Sequence, residues 1–257
     1  MSKNSRYEWW TSEMWEQFYR ETTKMCYCNK ESQEFEVAKF ENLEILCMNN
    51  CEIDDLTMIE NLSHLEDLKL SNNQIEDLSP LANLKNLKVL HLIDNQIDDL
   101  TPLASLNNLK ELRLSNNLIN DLTPLAGLHN LEGLCVCNNM VDDITPLAGL
   151  TKLKILCICF QEIEDISPLT CLTDMEHLHL EGNEIEDISP LSNMMHLETL
   201  DMVDNHIHDI SPLYELQKIK HLDLSGNEID EDQAAKFSQN NPECEIYIVS
   251  TDFPDCC

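Results

Sequence analysis

Four cysteines in the middle of the chain are spaced so that they could act together. Cys135 and Cys137 form a Cys-Val-Cys sequence, and Cys157 and Cys159 form a Cys-Ile-Cys sequence further along. Residues two apart in a β-strand point to the same side, so each pair would place both thiols on one face. Four thiols on neighbouring strands could hold a zinc ion. The alternatives are a thiol-redox site and a patch of small apolar side chains.

Two histidines continue the same pattern. His177 and His179 lie as far beyond Ile155 and Cys157 as the second cysteine pair lies beyond the first. A Cys159–His179 pair has the residue types of a nucleophilic dyad, but the sequence supplies neither an oxyanion hole nor a substrate cleft for it. The segments outside the repeats described below are also too short for a catalytic domain. We therefore predict that the protein is not an enzyme.

The elements that must position these side chains come from a repeat of constant length. Within one copy, Leu68 and Leu70 predict a short strand with both side chains on one face. Ser79-Pro80 predicts a helix N-cap followed by proline at the first helical position, so that a single 3-10 or α turn closes the copy. An aspartate two residues before each Ser or Thr marks the period, at Asp55, Asp77, Asp99, Asp121, Asp143, Asp165, Asp187 and Asp209.

One copy cannot bury its leucines alone, but stacked copies can share a continuous core. The strands should then form a parallel sheet, and an asparagine in each turn should satisfy backbone groups that the turn buries. Cys51 and Gln161 replace this asparagine in two copies, and we expect Gln161 to mark a local irregularity. The predicted ladder consists of Asn73, Asn95, Asn117, Asn139, Asn183, Asn205 and Asn227.

The pattern L-x-x-L-x-L-x-x-N-x-I-x-D-[IL]-[ST]-P-L-x-x-L over residues 43–229 resembles the leucine-rich repeat, in the 22-residue form of bacterial internalins. This resemblance implies an α/β solenoid of about nine copies with short 3-10 turns on its convex side. It also implies a parallel sheet on the concave side, which is the protein-binding face in this family. The pattern is similar as well to the leucine-rich regulatory subunit of protein phosphatase 1, which leaves a phosphatase regulatory role as an alternative.

On the expected concave face the side chains vary from copy to copy, whereas the scaffold positions are uniform. This contrast is typical of a surface that displays side chains to one partner. We therefore predict that the protein is a binding scaffold or regulatory module for another protein. The predicted contact residues are His91, Arg113, Cys135, Cys157, Phe160, His177, His179, Asp201 and Asp223.

The open ends of such a solenoid require caps. We predict a helical cap over residues 1–42, where Trp10, Met14 and Phe18 share one helix face. The alternative for this aromatic segment is a helix that recognises a partner. The repeats should end at residue 229, a helix and a strand should close the core over residues 230–250, and residues 251–257 should fray.

Charge restricts the partners. The 257 residues contain 48 Asp and Glu against 16 Lys and Arg, a net charge of −32. This charge excludes nucleic acid and favours a protein partner with a basic surface. No run of 18 apolar residues could span a bilayer, and twelve cysteines without a secretory signal predict a cytoplasmic protein, with signal-independent secretion as the alternative. We expect a monomer without a cofactor, unless the four central cysteines bind zinc.

Overall fold

The computed structural model describes residues 21–27 and 36–248. These residues form one parallel sheet whose strands are hydrogen-bonded in chain order. The solenoid predicted from the repeat is thereby confirmed. The strands are β1 (Lys24–Cys26), β2 (Ile45–Cys47), β3 (Asp67–Lys69), β4 (Val89–His91), β5 (Glu111–Arg113), β6 (Gly133–Cys135), β7 (Ile155–Cys157), β8 (His177–His179), β9 (Thr199–Asp201), β10 (His221–Asp223) and β11 (Glu245–Tyr247).

The register places identical positions of neighbouring copies side by side. Leu68 pairs with Leu90, and Leu112 pairs with Leu134, so that the middle residue of each three-residue strand joins one column. All four of these side chains are buried, whereas the residues on either side of them in the strands face outward. The spacing of the leucines therefore correctly predicts which side of each strand is buried. Helices in the described part of the chain are too short or too polar to cross a bilayer.

Short 3-10 helices return the chain from one strand to the next. In Ser79–Leu81 the serine lies inside the 3-10 helix, and the preceding Leu78 makes no side-chain cap. The expectation that Ser79 is the N-cap is therefore wrong, and Asp77 Oδ1 accepts the Ser79 N–H at 2.8 Å instead. The 3-10 helices are Glu36–Lys39, Thr57–Ile59, Ser79–Leu81, Thr101–Leu103, Thr123–Leu125, Thr145–Gly149, Ser167–Cys171, Ser189–Asn193 and Ser211–Leu213.

All eight repeat aspartates make the same contact. Each Oδ1 accepts the backbone N–H of the Ser or Thr two residues later, at 2.7–2.8 Å. Hydrogen bonds from the hydroxyl and the backbone N–H of Thr101 hold the pKa of Asp99 below its ordinary value. The aspartate contacts thus stabilise the entry to each 3-10 helix, and at Asp99 they favour the ionised form of the carboxyl group.

This contact predicts a pH-dependent loss of stability. Because the pKa of Asp99 is lower in the folded than in the unfolded protein, its contribution is complete above the unfolded pKa and disappears as the pH falls through the folded pKa. We expect Asp99→Ala to lower the free energy of unfolding by about 0.5–1 kcal/mol at pH 7, and by less below about pH 4. Urea unfolding of the wild-type protein and of Asp99→Ala, at pH 7 and below about pH 4, measures this difference in the free energy of unfolding. Asp99→Asn, which keeps the acceptor oxygen, is the control, and an equal loss for Asp99→Ala at both pH values would contradict the assignment.

The asparagine ladder forms as predicted and extends to the copy that lacks asparagine. Asn117 Oδ1 accepts the Ile97 N–H at 3.0 Å, and its Nδ2 donates to the carbonyl oxygens of Leu92 and Leu114, both at 2.9 Å. Gln161 fills the equivalent place, since its Oε1 accepts the Val141 N–H at 2.8 Å. Its Nε2 donates to the Val136 carbonyl oxygen at 2.8 Å, so the longer amide keeps both contacts to the preceding copy, and the ladder continues through Gln161.

Cys51, the other replacement in the ladder, also makes hydrogen bonds to main-chain oxygens. Its Sγ lies 3.2 Å from the carbonyl oxygen of Tyr27 and 3.3 Å from that of Asn49. The thiol thus occupies the start of the ladder as a weak donor, which is the role that the sequence pattern assigned to it.

The C-terminal end of the core is closed by helix α1 (Glu231–Asn240) and strand β11. Asp230 caps this helix, and Ala234 and Phe237 are buried against the last copy. The Lys236 ammonium lies 4.2 Å from the centre of the Tyr214 ring, which ties the outer side of α1 to the preceding turn. The predicted closing helix and strand are thus present, with β11 ending at Tyr247.

At the N-terminal end, the described residues add a strand that the repeat pattern does not contain. Lys24–Cys26 pairs in parallel with Ile45–Cys47 and extends the sheet beyond the first copy. Trp10, Met14 and Phe18, on which the prediction of a helical cap rests, lie outside the described residues.

Candidate functional site

The candidate site is the outward-facing side of the sheet, called the concave face here and defined as the first and third residues of strands β2–β10. These residues are mostly half-buried, while the residue between them is buried in every strand. The buried position is leucine throughout, whereas the concave face carries charged, imidazole, thiol and aliphatic groups. A rigid support thus presents a surface that changes from one copy to the next.

The first part of the concave face is a charged network. Glu111 Oε1 lies 2.9 Å from His91 Nε2 and 2.8 Å from Arg113 Nε. Burial lowers the pKa of His91 in spite of the neighbouring carboxylate. Burial by itself raises the pKa of Glu111, but the His91 hydrogen bond and the Arg113 charge outweigh it and hold that pKa below its usual value. Glu111 therefore keeps Arg113 aligned on the face.

The centre of the concave face is apolar and shallow. Ile155 is 45% exposed, while Cys157 on the same strand is 8% exposed. Next to Ile155 in the register stands Gly133, which leaves a gap in the face. A Cβ placed on Gly133 would approach only Glu111 Cγ, at 3.9 Å, so the gap has room for a side chain. A partner side chain can therefore reach the sheet at this point.

The four central cysteines are brought together as the sequence predicted, but at different depths. Cys137, Cys157 and Cys159 are buried and pack with the half-buried Cys135 in a cluster separate from the leucine core. The Cys159 N–H lies 3.3 Å from Cys137 Sγ, and Ser115 Oγ lies 3.2 Å from Cys135 Sγ. The four cysteines lie together outside the leucine core, as their two-residue spacing predicts, but three of them are buried, because alternation fixes the side to which a residue points and not its depth.

Burial distinguishes the two predicted contact residues in this cluster. Cys157 is 8% exposed, whereas Cys135 is half-buried and more accessible. Within residues 21–27 and 36–248, no three histidines, cysteines or carboxylates are arranged to hold a metal ion.

The last part of the concave face carries histidines and carboxylates. His177 Nδ1 lies 3.1 Å from Thr199 Oγ1, and His179 Nδ1 lies 3.9 Å from Asp201 Oδ2. Asp223 Oδ1 accepts the Ser225 N–H at 2.9 Å, which fixes the carboxylate at the end of β10. The structure therefore places the predicted contact residues His177, His179, Asp201 and Asp223 on one continuous surface.

Phe160 is the predicted contact residue that lies elsewhere. It follows β7 in the turn at the carboxyl end of the strand, so its assignment to the concave face is wrong. Its φ of 56° is in the left-handed region, where a bulky side chain costs about 1–2 kcal/mol. The other copies carry Asn, Asp or Gly with positive φ at this position. The ring of Phe160 occupies space at Gly182, where an added Cβ would lie 2.6 Å from Phe160 Cδ1.

Sequence reasoning did not find two other exposed apolar residues along the same edge of the sheet. Leu118 is 50% exposed and Met140 is 57% exposed, and both follow the ladder asparagine by one residue. Together with Phe160 they form a surface that we call the apolar rim. The signal was present in the sequence, because the other copies have a polar residue at that position: Glu52, Gln74, Gln96, Glu162, Glu184, His206 and Glu228.

Beyond Gly182 the same edge is polar and hollow. A groove of about 480 Å³ begins there and ends at Gly226, and it is called the acidic groove below. His206 Nε2 lies 2.5 Å from Glu184 Oε2, and His208 Nδ1 lies 3.7 Å from Glu228 Oε2. Its titratable lining residues are Glu184, Glu186, Asp204, His206, His208 and Glu228.

Two family models match this chain. One, described as a leucine-rich repeat region, matches residues 22–179, and the other, described as two copies of leucine-rich repeats, matches residues 196–234. The chain therefore belongs to the leucine-rich repeat proteins. Comparison with curated proteins gave no match.

Solved structures place the chain more narrowly, as an internalin-like leucine-rich repeat protein. An internalin (inlF) from Listeria monocytogenes is 32% identical with a TM-score of 0.85, over 92% of this chain and 69% of that one. Internalin C2 (inlC2) from the same organism is 36% identical with a TM-score of 0.69, over 75% and 82% of the two chains.

A plant structure shares the fold alone. The ectodomain of the receptor kinase GASSHO1/SCHENGEN3 from Arabidopsis thaliana, in complex with CASPARIAN STRIP INTEGRITY FACTOR 2, has a TM-score of 0.74 at 21% identity. The match covers 91% of this chain and 31% of that one.

Proposed function

We propose that this protein is a non-catalytic scaffold that binds a protein partner through its concave face. The observation that carries the proposal is the contrast between the uniform leucine column and the varied residues beside it, with an apolar gap at the centre. The plant receptor ectodomain, solved in complex with CASPARIAN STRIP INTEGRITY FACTOR 2, supports a role in binding for this fold.

The geometry of the face suits an interface with an apolar centre and a polar surround. Ile155 and the gap at Gly133 offer a place where an apolar side chain of the partner would lose contact with water. Arg113 on one side and Asp201 on the other would contribute to orientation and to the rate of association. The net charge of −32 supports a partner whose contacting surface is basic.

Filling the gap tests the proposal without disturbing the core. We expect Gly133→Lys to abolish capture of partners from an extract of the source cell, because the new side chain occupies the centre of the concave face. Gly127→Lys is the matched control, since it adds the same charge in a turn where nothing lies within 4 Å of an added Cβ. Quantitative affinity capture with both variants makes the comparison. Equal capture of the partner by Gly133→Lys and Gly127→Lys would show that the interaction does not use the concave face.

A competing candidate function is thiol redox chemistry at the central cysteines, or zinc binding there after a movement of these side chains, since their present arrangement does not hold a metal ion. The observation in its favour is that four sulfur atoms from two adjacent copies pack in one cluster. Zinc analysis of the same preparations, purified anaerobically, distinguishes the two functions. Near-stoichiometric zinc that is lost in Cys157→Ser would favour the metal site, whereas binding of the protein partner without zinc favours the scaffold.

We propose further that the protein acts as a monomer in the cytoplasm. Twelve cysteines are more readily kept as thiols in a reducing compartment. The strong like charge opposes association of identical chains.

A further inference from the structure

The apolar rim and the acidic groove form one continuous edge of the molecule, separate from the concave face. Leu118 and Met140 hold the same position in neighbouring copies, and Phe160 lies one copy further along. The Phe160 ring lies against Gly182, and Gly182 is also a lining residue of the acidic groove. The exposed apolar side chains of the apolar rim are thus adjacent to the carboxylates of the acidic groove.

The apolar rim is not part of the buried core. The Leu118 and Met140 side chains are at least half exposed, and the polar residues of other copies serve the same turn. The backbone conformation of Phe160 is adopted by Asn, Asp or Gly at the equivalent position of the other copies. An aromatic ring is therefore held at the surface in a conformation that a smaller polar residue would adopt with less strain.

The negative charge of this edge indicates which kind of partner can bind there. Several lysines are already paired with glutamates of neighbouring copies, as in Lys88–Glu66 at 2.7 Å and Lys154–Glu176 at 2.9 Å. The four carboxylates that line the acidic groove outnumber its two imidazoles, so the groove remains an anionic surface next to the apolar rim. A second copy of this chain, with its net charge of −32, would be repelled from that surface.

We propose that this edge binds an extended segment of a partner protein, in which bulky apolar side chains are adjacent to lysine or arginine. The apolar side chains contact Leu118, Met140 and Phe160, and the basic side chains enter the acidic groove beside Glu184 and Glu228. The edge spans five steps of about 4.8 Å, roughly 24 Å, which an extended peptide covers with about seven or eight residues.

Synthetic peptides of about eight residues test the proposal on the full-length chain. One peptide has bulky apolar residues followed by Lys and Arg, and a second has the reverse order. Control peptides replace the basic residues with Glu or the apolar residues with Ser. Fluorescence anisotropy should show binding of one basic–apolar peptide, weakened by salt, and much weaker binding of both control peptides. Equal binding of the Glu peptide would overturn the proposal.

Phe160→Asn separates recognition from folding, since it introduces the residue that stands at position 138 in the preceding copy. We expect it to weaken binding of the basic–apolar peptide about tenfold and to raise the midpoint of thermal unfolding by about 2 °C. Met195→Asn, which alters another exposed apolar residue, is the matched control and should leave peptide binding unchanged. Unchanged binding in Phe160→Asn would overturn the proposal whatever its thermal stability.

The proposal for the concave face and the proposal for the edge can be tested independently. Gly133→Lys should leave peptide binding intact, because Gly133 lies on the concave face. Glu228→Gln should weaken peptide binding a few-fold and make it less sensitive to salt. Loss of peptide binding in Gly133→Lys together with full binding in Glu228→Gln would assign the peptide to the concave face and overturn the proposal for the edge.

Discussion

Replacing Asn117 with alanine is expected to lower the free energy of unfolding by about 3 kcal/mol, because it removes several buried hydrogen bonds at once. The Ile97 N–H would lose its partner in a turn that water does not reach easily. The carbonyl oxygens of Leu92 and Leu114 would each lose one of two amide donors and keep the one from Asn95 or Asn139. Urea unfolding followed by far-ultraviolet circular dichroism measures the loss, provided that the slope with denaturant stays constant.

Two further variants identify the cause. Asn117→Gln should lose less than the alanine variant, because Gln161 shows that the longer amide can contact the same backbone groups. Asn108→Ala, in the same copy, removes one exposed hydrogen bond to the Lys85 carbonyl and should cost about 0.5 kcal/mol or less. If Asn117→Ala is no more destabilised than Asn108→Ala, the ladder does not hold the turns together.

Leu112→Ala is expected to cost about 3–4 kcal/mol. Leu112 is fully buried at the middle of β5, between Leu90 and Leu134, and its removal leaves a cavity lined by two neighbouring copies. Because each copy contacts only its neighbours, a defect in the middle weakens the coupling between both halves of the solenoid. The same urea experiment should therefore show a lower midpoint and a broader transition.

Leu118→Ala is the matched control, since it truncates the same type of side chain later in the same copy. Leu118 is exposed on the apolar rim, so we expect its loss to change the free energy of unfolding by less than about 0.5 kcal/mol. Equal destabilisation by the two variants would contradict the division between core and rim.

The sequence predicts most of the fold because the period alone determines the core. Leucines that recur at a constant interval can all be buried only if successive copies lie in register, and the paired columns at Leu68 and Leu90 follow from this requirement. The first strand could not be predicted in this way. Lys24–Cys26 has no leucine pattern, and it joins the sheet through the open edge of Ile45–Cys47 rather than through the repeat.

The candidate site could be predicted only in part, since depth and turn conformation are not periodic properties. The two-residue alternation correctly places His177 and His179 on the concave face, but it cannot show that Cys137 and Cys159 are covered by their neighbours. The prediction that Phe160 is a contact residue of that face is wrong because the residue lies in the turn beyond the end of β7. The residues that replace it in other copies, Asn, Asp and Gly, were the available indication of a left-handed turn.

The register has a consequence for how such a molecule changes over generations. The junctions between copies join the same leucine column and the same aspartate contacts, and from Asn73 onward they also join the same ladder of amide side chains. Gain or loss of one whole copy by unequal recombination therefore recreates an existing junction and leaves the interior intact. The length of the recognition surfaces can thus be adjusted in steps of about 4.8 Å while the side chains that line them diverge independently.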